Sequence, residues 1–137
     1  FVASNFPNCP SWLNEGLGSL YEQCGSRGGK IVGFTNWRLS GLQHAIVAGY
    51  LPSFHSLCST TTSQFYGDDS GTNYAQARYL CYYMQQKGLL RSFYHSFYKH
   101  QQQDPTGYKT LLKTLNIKDV AAFEKSWRKY VLGLRFP

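Results

Sequence analysis

Breakers cut this chain into helix-length pieces, and that spacing constrains its fold more than any other feature. Pro7, Pro10, the glycines between Gly25 and Gly29, Pro52, the Gly67-Asp68-Asp69-Ser70-Gly71 run, Gly88 and Pro105 separate stretches whose apolar residues recur three and four apart. Proline removes a backbone donor and glycine relaxes φ, so each such site bounds a helix, at its start or its end. Leu13, Leu17, Leu20, Tyr21 and Cys24 fall at i, i+4, i+7, i+8 and i+11, one face of a helix that Ser11 caps and that runs to about residue 24. Helices are also expected over residues 37–50, around 53–58, and over 72–87, 89–102, 105–115 and 119–132. Residues 25–29 are expected as a loop, residues 30–34 as a short extended link, and residues 59–63 as a polar connection. The fold class is all-α, or mostly α, with about six to seven helices. No self-similarity at solenoid periods is present.

Composition bounds the rest. The chain has 137 residues, one domain's worth, and 42% hydrophobic with 17% aromatic residues is enough to bury a core and to exclude disorder. No run of 18 or more apolar residues occurs, so no transmembrane segment is expected within these residues. Of the 14 Lys and Arg, 11 lie from Arg78 onward against three acids, while the first 77 residues carry three bases and four acids. Such a basic half can attract nucleic acid, anionic lipid or acidic substrate. Lys87, Arg91, Lys99, Lys109, Lys113 and Lys118 are spread singly, however, which favours a solvated helical surface over a nucleic-acid partner. Cys9, Cys24, Cys58 and Cys81 show no C-x-x-C pair, so neither a zinc ribbon nor a redox motif is indicated. Cys24 and Cys81 fall on apolar stripes and are expected as buried thiols, with disulfides open in an oxidising compartment.

The sharpest local string is Trp12-Leu13-Asn14-Glu15-Gly16-Leu17-Gly18-Ser19-Leu20-Tyr21, followed by Glu22. Opposite the apolar stripe, Glu15 and Glu22 share a face seven residues apart. By geometry alone this is either a solvated face, with Glu15 favourably placed in the first turn against the helix dipole, or a pair of carboxylates serving a metal. Gly16 and Gly18 cost about 1 kcal/mol each inside a helix, and they mark close approach by another element.

Trp12-Leu13-Asn14-Glu15-Gly16 resembles the carboxylate-ligand helix of gluzincin zinc metallopeptidases, the superfamily of aminopeptidase N and thermolysin. In that family a His-Glu-x-x-His helix supplies two zinc-binding imidazoles and a general base, and a downstream helix adds a glutamate. The resemblance implies that Glu15 is the third zinc ligand, with Glu22 supporting it from behind. The family's second histidine lies farther upstream of the carboxylate than the 14 residues that precede Glu15 here. None of His44, His55, His95 and His100 begins a His-Glu-x-x-His motif. His95 and His100 stand about 140° apart around a helix. Residues 1–137 are therefore expected to be a single helical domain or subdomain, truncated at its N-terminus, whose histidine pair lies before Phe1.

Tyr74 is the second candidate. It lies 59 residues after Glu15, a spacing similar to that of the family's catalytic tyrosine, whose phenol steadies the oxyanion of the tetrahedral intermediate. The family's Tyr-x-Lys-Gly here reads Tyr74-Ala75-Gln76-Ala77. Among 11 tyrosines a core or edge role for Tyr74 is the competing reading, and Tyr66 stands under the same alternatives. Residues 73–134 also resemble, less specifically, the helical tail of such domains.

Three further patterns have plainer readings. Gly25-Ser26-Arg27-Gly28-Gly29-Lys30 lacks the Walker spacing and the following Ser or Thr. Asp68-Asp69-Ser70-Gly71-Thr72 lacks the EF-hand ligand order, leaving helix capping. In Ser92-Phe93-Tyr94-His95-Ser96-Phe97-Tyr98-Lys99, Leu90, Phe93, Tyr94 and Phe97 make one stripe, which suits a core rather than base stacking.

The resemblance implies amide hydrolysis in the complete parent, on a peptide or protein substrate, with zinc polarising the carbonyl. It implies an inactive fragment here, without tight zinc binding and with the missing N-terminal part as partner. The alternative is a non-catalytic helical interaction domain.

Overall fold

The computed structural model describes residues 9–21, 24–27, 30–67 and 69–136, with only the backbone of residues 24, 26–27 and 30–32. In chain order the elements are α1 (Ser11–Leu20), β1 (Cys24–Arg27), β2 (Lys30–Gly33), α2 (Arg38–Ala48), α3 (Phe54–Ser59), α4 (Thr62–Gly67), α5 (Ser70–Gln86), α6 (Leu90–His100), α7 (Tyr108–Thr114) and α8 (Val120–Leu132). The architecture is mostly α, with eight helices among the described residues.

Three elements depart from the sequence expectation. The first helix ends at Leu20, four residues early, and Cys24 lies in β1 rather than on a helical stripe. Its cap is Pro10, whose carbonyl accepts from the Leu13 and Asn14 amides at 3.1 and 3.0 Å, while Ser11 is the first helical residue. The loop and extended link expected over residues 25–34 instead form an antiparallel hairpin pairing Cys24 with Gly33 and Arg27 with Lys30. The polar connection expected over residues 59–63 gives way at Thr62 to α4, which runs to Gly67.

The hairpin's last residue, Gly33, is held by two hydrogen bonds to its backbone and packed too closely for any side chain. The Gln85 side chain donates to the Gly33 carbonyl and accepts from the Gly33 amide, both at 2.8 Å. A Cβ at Gly33 would fall 2.5 Å from the Leu20 side chain.

α5 is the central helix, since Ala75, Ala77, Tyr79, Leu80, Cys81 and Met84 are all buried along it. α1 lies against it so closely that a Cβ at Gly16 would sit 2.9 Å from both the Ala77 carbonyl oxygen and the Cys81 sulfur. The close approach expected at Gly16 therefore comes from α5. Gly18 has no neighbour within 4 Å and is exposed. Trp12 is fully buried, its indole donating to the Thr106 carbonyl at 2.7 Å and its ring 5.8 Å from that of Phe93. Phe93 and Phe97 are likewise buried, their rings parallel and 6.3 Å apart. At the far end Phe54, Phe123 and Trp127 pack α3 against α8.

Polar groups finish the helix ends. Ser53 and Asp119 accept from the Ser56 and Ala122 amides, each at 3.1 Å, as N-caps do. The buried Asp104 carboxylate accepts from the Thr110 amide at 2.7 Å and its hydroxyl at 2.8 Å, closing the first turn of α7. Asp69 occupies the cap position of α5 in a left-handed conformation and makes no side-chain cap bond, unlike the capping expected for it. Buried Arg78 donates to the Phe34 carbonyl and, at 3.5 Å, to Ser19, tying α1 and the chain after the hairpin to α5.

Cys58 and Cys81 are buried free thiols and Cys9 a half-buried one. Burial pushes the Cys9 and Cys81 thiols up to about 12, so both stay protonated and chemically quiet at neutral pH. Lys87, Arg91, Lys99, Lys109, Lys113 and Lys118 are all exposed. No helix among the described residues is long and apolar enough to cross a membrane.

Candidate carboxylate and phenol site

Glu15 lies on α1 one turn from the buried Trp12 and Ser19 and is itself half-buried. Two phenols meet it from different helices. The Tyr66 hydroxyl, on α4 and 51 residues away in sequence, donates a short hydrogen bond to Glu15 Oε2. Tyr74, in the second turn of α5, interacts with the same carboxylate and with Tyr66, their rings 6.0 Å apart at 62°.

The phenols are placed by the core beneath them. Phe65 is fully buried, and its ring meets those of Tyr66 and Tyr74 edge-on at 5.4 and 5.3 Å. Asn73 donates from its side chain to the Phe65 carbonyl at 3.0 Å, pinning α4 to α5. The start of α4 is a capping box, in which the Gln64 amide donates to Thr61 Oγ1 at 3.1 Å and the Thr61 amide to Gln64 Oε1 at 2.9 Å. Ser11 donates to Thr62 at 3.3 Å, joining the starts of α1 and α4.

Desolvation, then the Glu15 hydrogen bond and charge, push the Tyr66 phenol well above its ordinary range. Desolvation and the Glu15 charge also raise Tyr74, against an opposing pull from Arg38. The Arg38 guanidinium lies 5.0 Å from the Tyr74 ring centroid and 4.4 Å from that of Trp37. Both phenols are therefore protonated donors at neutral pH, beside a carboxylate that accepts.

Of the sequence candidates, Glu15 and Tyr74 are brought together, and Glu22 lies outside the described residues. Tyr66 is the member whose part the sequence left open. Its signal was the Thr61-x-x-Gln64 capping box, which makes a helix of the stretch carrying it.

As a zinc site this donor set is incomplete. Catalytic zinc takes three protein ligands. Among the described residues no three His, Cys, Asp or Glu side chains converge. The cluster offers one carboxylate, so it fits a site only as one oxygen donor among ligands supplied from elsewhere. Comparison with protein families, with curated proteins and with solved structures found no match for this chain.

Proposed function

We propose that this chain is the helical portion of a gluzincin-type zinc peptidase domain, with Glu15 as its carboxylate ligand and Tyr74 as the phenol that steadies a developing oxyanion. The observation that carries the reading is the convergence of Glu15 with two tyrosines from separate helices at a half-buried position, on the residue that the Trp12-Leu13-Asn14-Glu15-Gly16 string singles out. Tyr66 would hold the carboxylate in orientation, the part that hydrogen-bonded partners of ligand carboxylates commonly play. Tyr74, kept protonated, would donate to charge that develops only in the transition state, an effect often worth about 3 kcal/mol.

The open surface at Gly18 supports the same reading. Gly18 lies three residues from Glu15 on the exposed side of α1, where an added Cβ would meet nothing within 4 Å, so no described element covers that face. The described residues bring no three ligating side chains together, so the reaction centre needs ligands supplied from elsewhere.

Zinc titration of the 137-residue chain tests this division of labour. The expected result is weak binding of no fixed stoichiometry, and tight one-to-one binding overturns it. In the precursor sequence, a His-Glu-x-x-His motif shortly before Phe1 is expected. Its absence would leave a helical domain with the peptidase's shape and none of its chemistry.

A further inference from the structure

Beside the carboxylate and phenol cluster is a second feature that the zinc-peptidase reading does not use, an open cavity of about 520 Å3 between α2 and the start of α5. Its volume lies within the range of about 300–1,000 Å3 typical of small-ligand sites. Trp37, His44 and Tyr50 form aromatic walls, with the His44 and Tyr50 rings meeting edge-on at 6.4 Å. Leu42 and Ala75, both buried, give it an apolar floor. Arg38 is the link to the first site, because its guanidinium lies over both the Trp37 ring of this cavity and the Tyr74 ring of the cluster.

Two lining residues are glycines whose absent side chains leave the space open. A Cβ at Gly41 or at Gly71 meets nothing within 4 Å. Any larger residue at either position would project into room that the fold does not otherwise fill. Trp37 is 63% exposed, whereas the other two tryptophans are buried, so a large ring is left uncovered at the cavity's edge.

We propose that this cavity is the side-chain subsite for an aromatic residue of a peptide whose backbone passes over Arg38 toward Tyr74. This deepens the zinc-peptidase reading and rests on it for the identity of the ligand as a peptide. Aromatic walls favour an aromatic guest through offset and edge contacts. Arg38 and Asp69 both line the cavity, so their charges offset one another and a cationic side chain gains nothing there that replaces the ring contacts. A small one leaves the walls uncovered.

The test uses the 15N-labelled chain and three probes, N-acetyl-phenylalanine amide, N-acetyl-lysine amide and N-acetyl-glutamate amide. Each of the three tryptophan indole N–H groups gives its own signal. Saturable movement of the Trp37 signal is expected with the phenylalanine probe, at least fivefold weaker with the lysine probe, and with the Trp12 and Trp127 signals still. Gly41→Leu is expected to weaken the response at least tenfold while leaving the Trp12 and Trp127 signals in place, which shows the fold intact. Gly71→Leu, from the opposite wall, repeats the test independently. A Trp37 signal that does not move, that moves equally with all probes, or that keeps its response in both leucine variants overturns the proposal. A stronger response to the glutamate probe overturns it in favour of an anion site. Glu15→Gln is expected to leave the response unchanged. If that variant also leaves zinc binding by the longer protein unchanged, the peptidase reading fails while the aromatic pocket stands.

Discussion

Gly16 and Gly18 offer the same substitution in one helix, two residues apart and in opposite surroundings. Ala for Gly in a helix interior gains about 1 kcal/mol of intrinsic propensity at either position. At Gly18 nothing opposes that gain, because the new methyl group meets nothing within 4 Å. At Gly16 it arrives 2.9 Å from the Ala77 carbonyl oxygen and 2.9 Å from the Cys81 sulfur, and the first of these is backbone of the central helix, which cannot swing aside. Overpacking of this kind typically costs about 1–3 kcal/mol. The propensity term cancels between the two variants, so their difference reads the α1–α5 contact alone, at about 1–3 kcal/mol. Thermal or urea denaturation of Gly16→Ala and Gly18→Ala measures it. Gly18→Ala is expected to be at least as stable as the parent, and Gly16→Ala to melt at least about 3 °C below Gly18→Ala. Equal stabilities, or a more stable Gly16→Ala, would refute the close packing on which the placement of Glu15 depends.

Other outcomes follow from the same contacts. Trp12→Phe removes the indole bond to Thr106 and leaves a gap against Phe93, and should cost about 2–3 kcal/mol in urea denaturation. A loss under about 0.5 kcal/mol would contradict the burial of Trp12. Gln85→Ala removes both bonds to Gly33 and should speed hydrogen exchange at the Gly33 amide while leaving amides of α8 protected. Unchanged exchange would mean that the hairpin is held otherwise. Burial, then Tyr82 and Tyr83, push the Tyr130 phenol up to about 12. A raised folded-state pKa gives stability that is complete below the unfolded value of about 10 and lost as pH climbs through 12, so the denaturation midpoint should fall across that window. The fall should be shallower in Tyr130→Phe, and an identical slope in the variant would count against the assignment.

Much of the helical layout was legible because it rests on periodicity and strong punctuation. The Phe93 and Phe97 stripe is core, Gly88 follows the end of α5 in a left-handed conformation, and α8 spans Val120–Leu132 where residues 119–132 were expected to be helical. The hairpin was hidden because residues 24–33 carry four glycines and no clean alternation, and its anchor, Gln85, is 52 residues from Gly33. α4 was hidden by polarity, since Thr61 to Gln64 reads as a loop unless the reciprocal capping pattern is recognised. That Glu15 and Tyr74 lie together was legible from the motif and its spacing, while their roles stand as proposals. Their meeting with Tyr66 was not, because it depends on Phe65 and Asn73 fixing α4 against α5, contacts with no local signature.

The central claim is that Glu15 is a metal ligand rather than a solvated carboxylate held by tyrosines. Zinc content of the native protein and of its Glu15→Gln variant tests this most directly, because glutamine keeps the shape and the ability to accept from Tyr66 while removing the charge. Near one zinc per chain in the parent is expected, with at least a tenfold loss in the variant and unchanged helical content. Equal zinc occupancy in the two proteins, or none in either, would contradict the account.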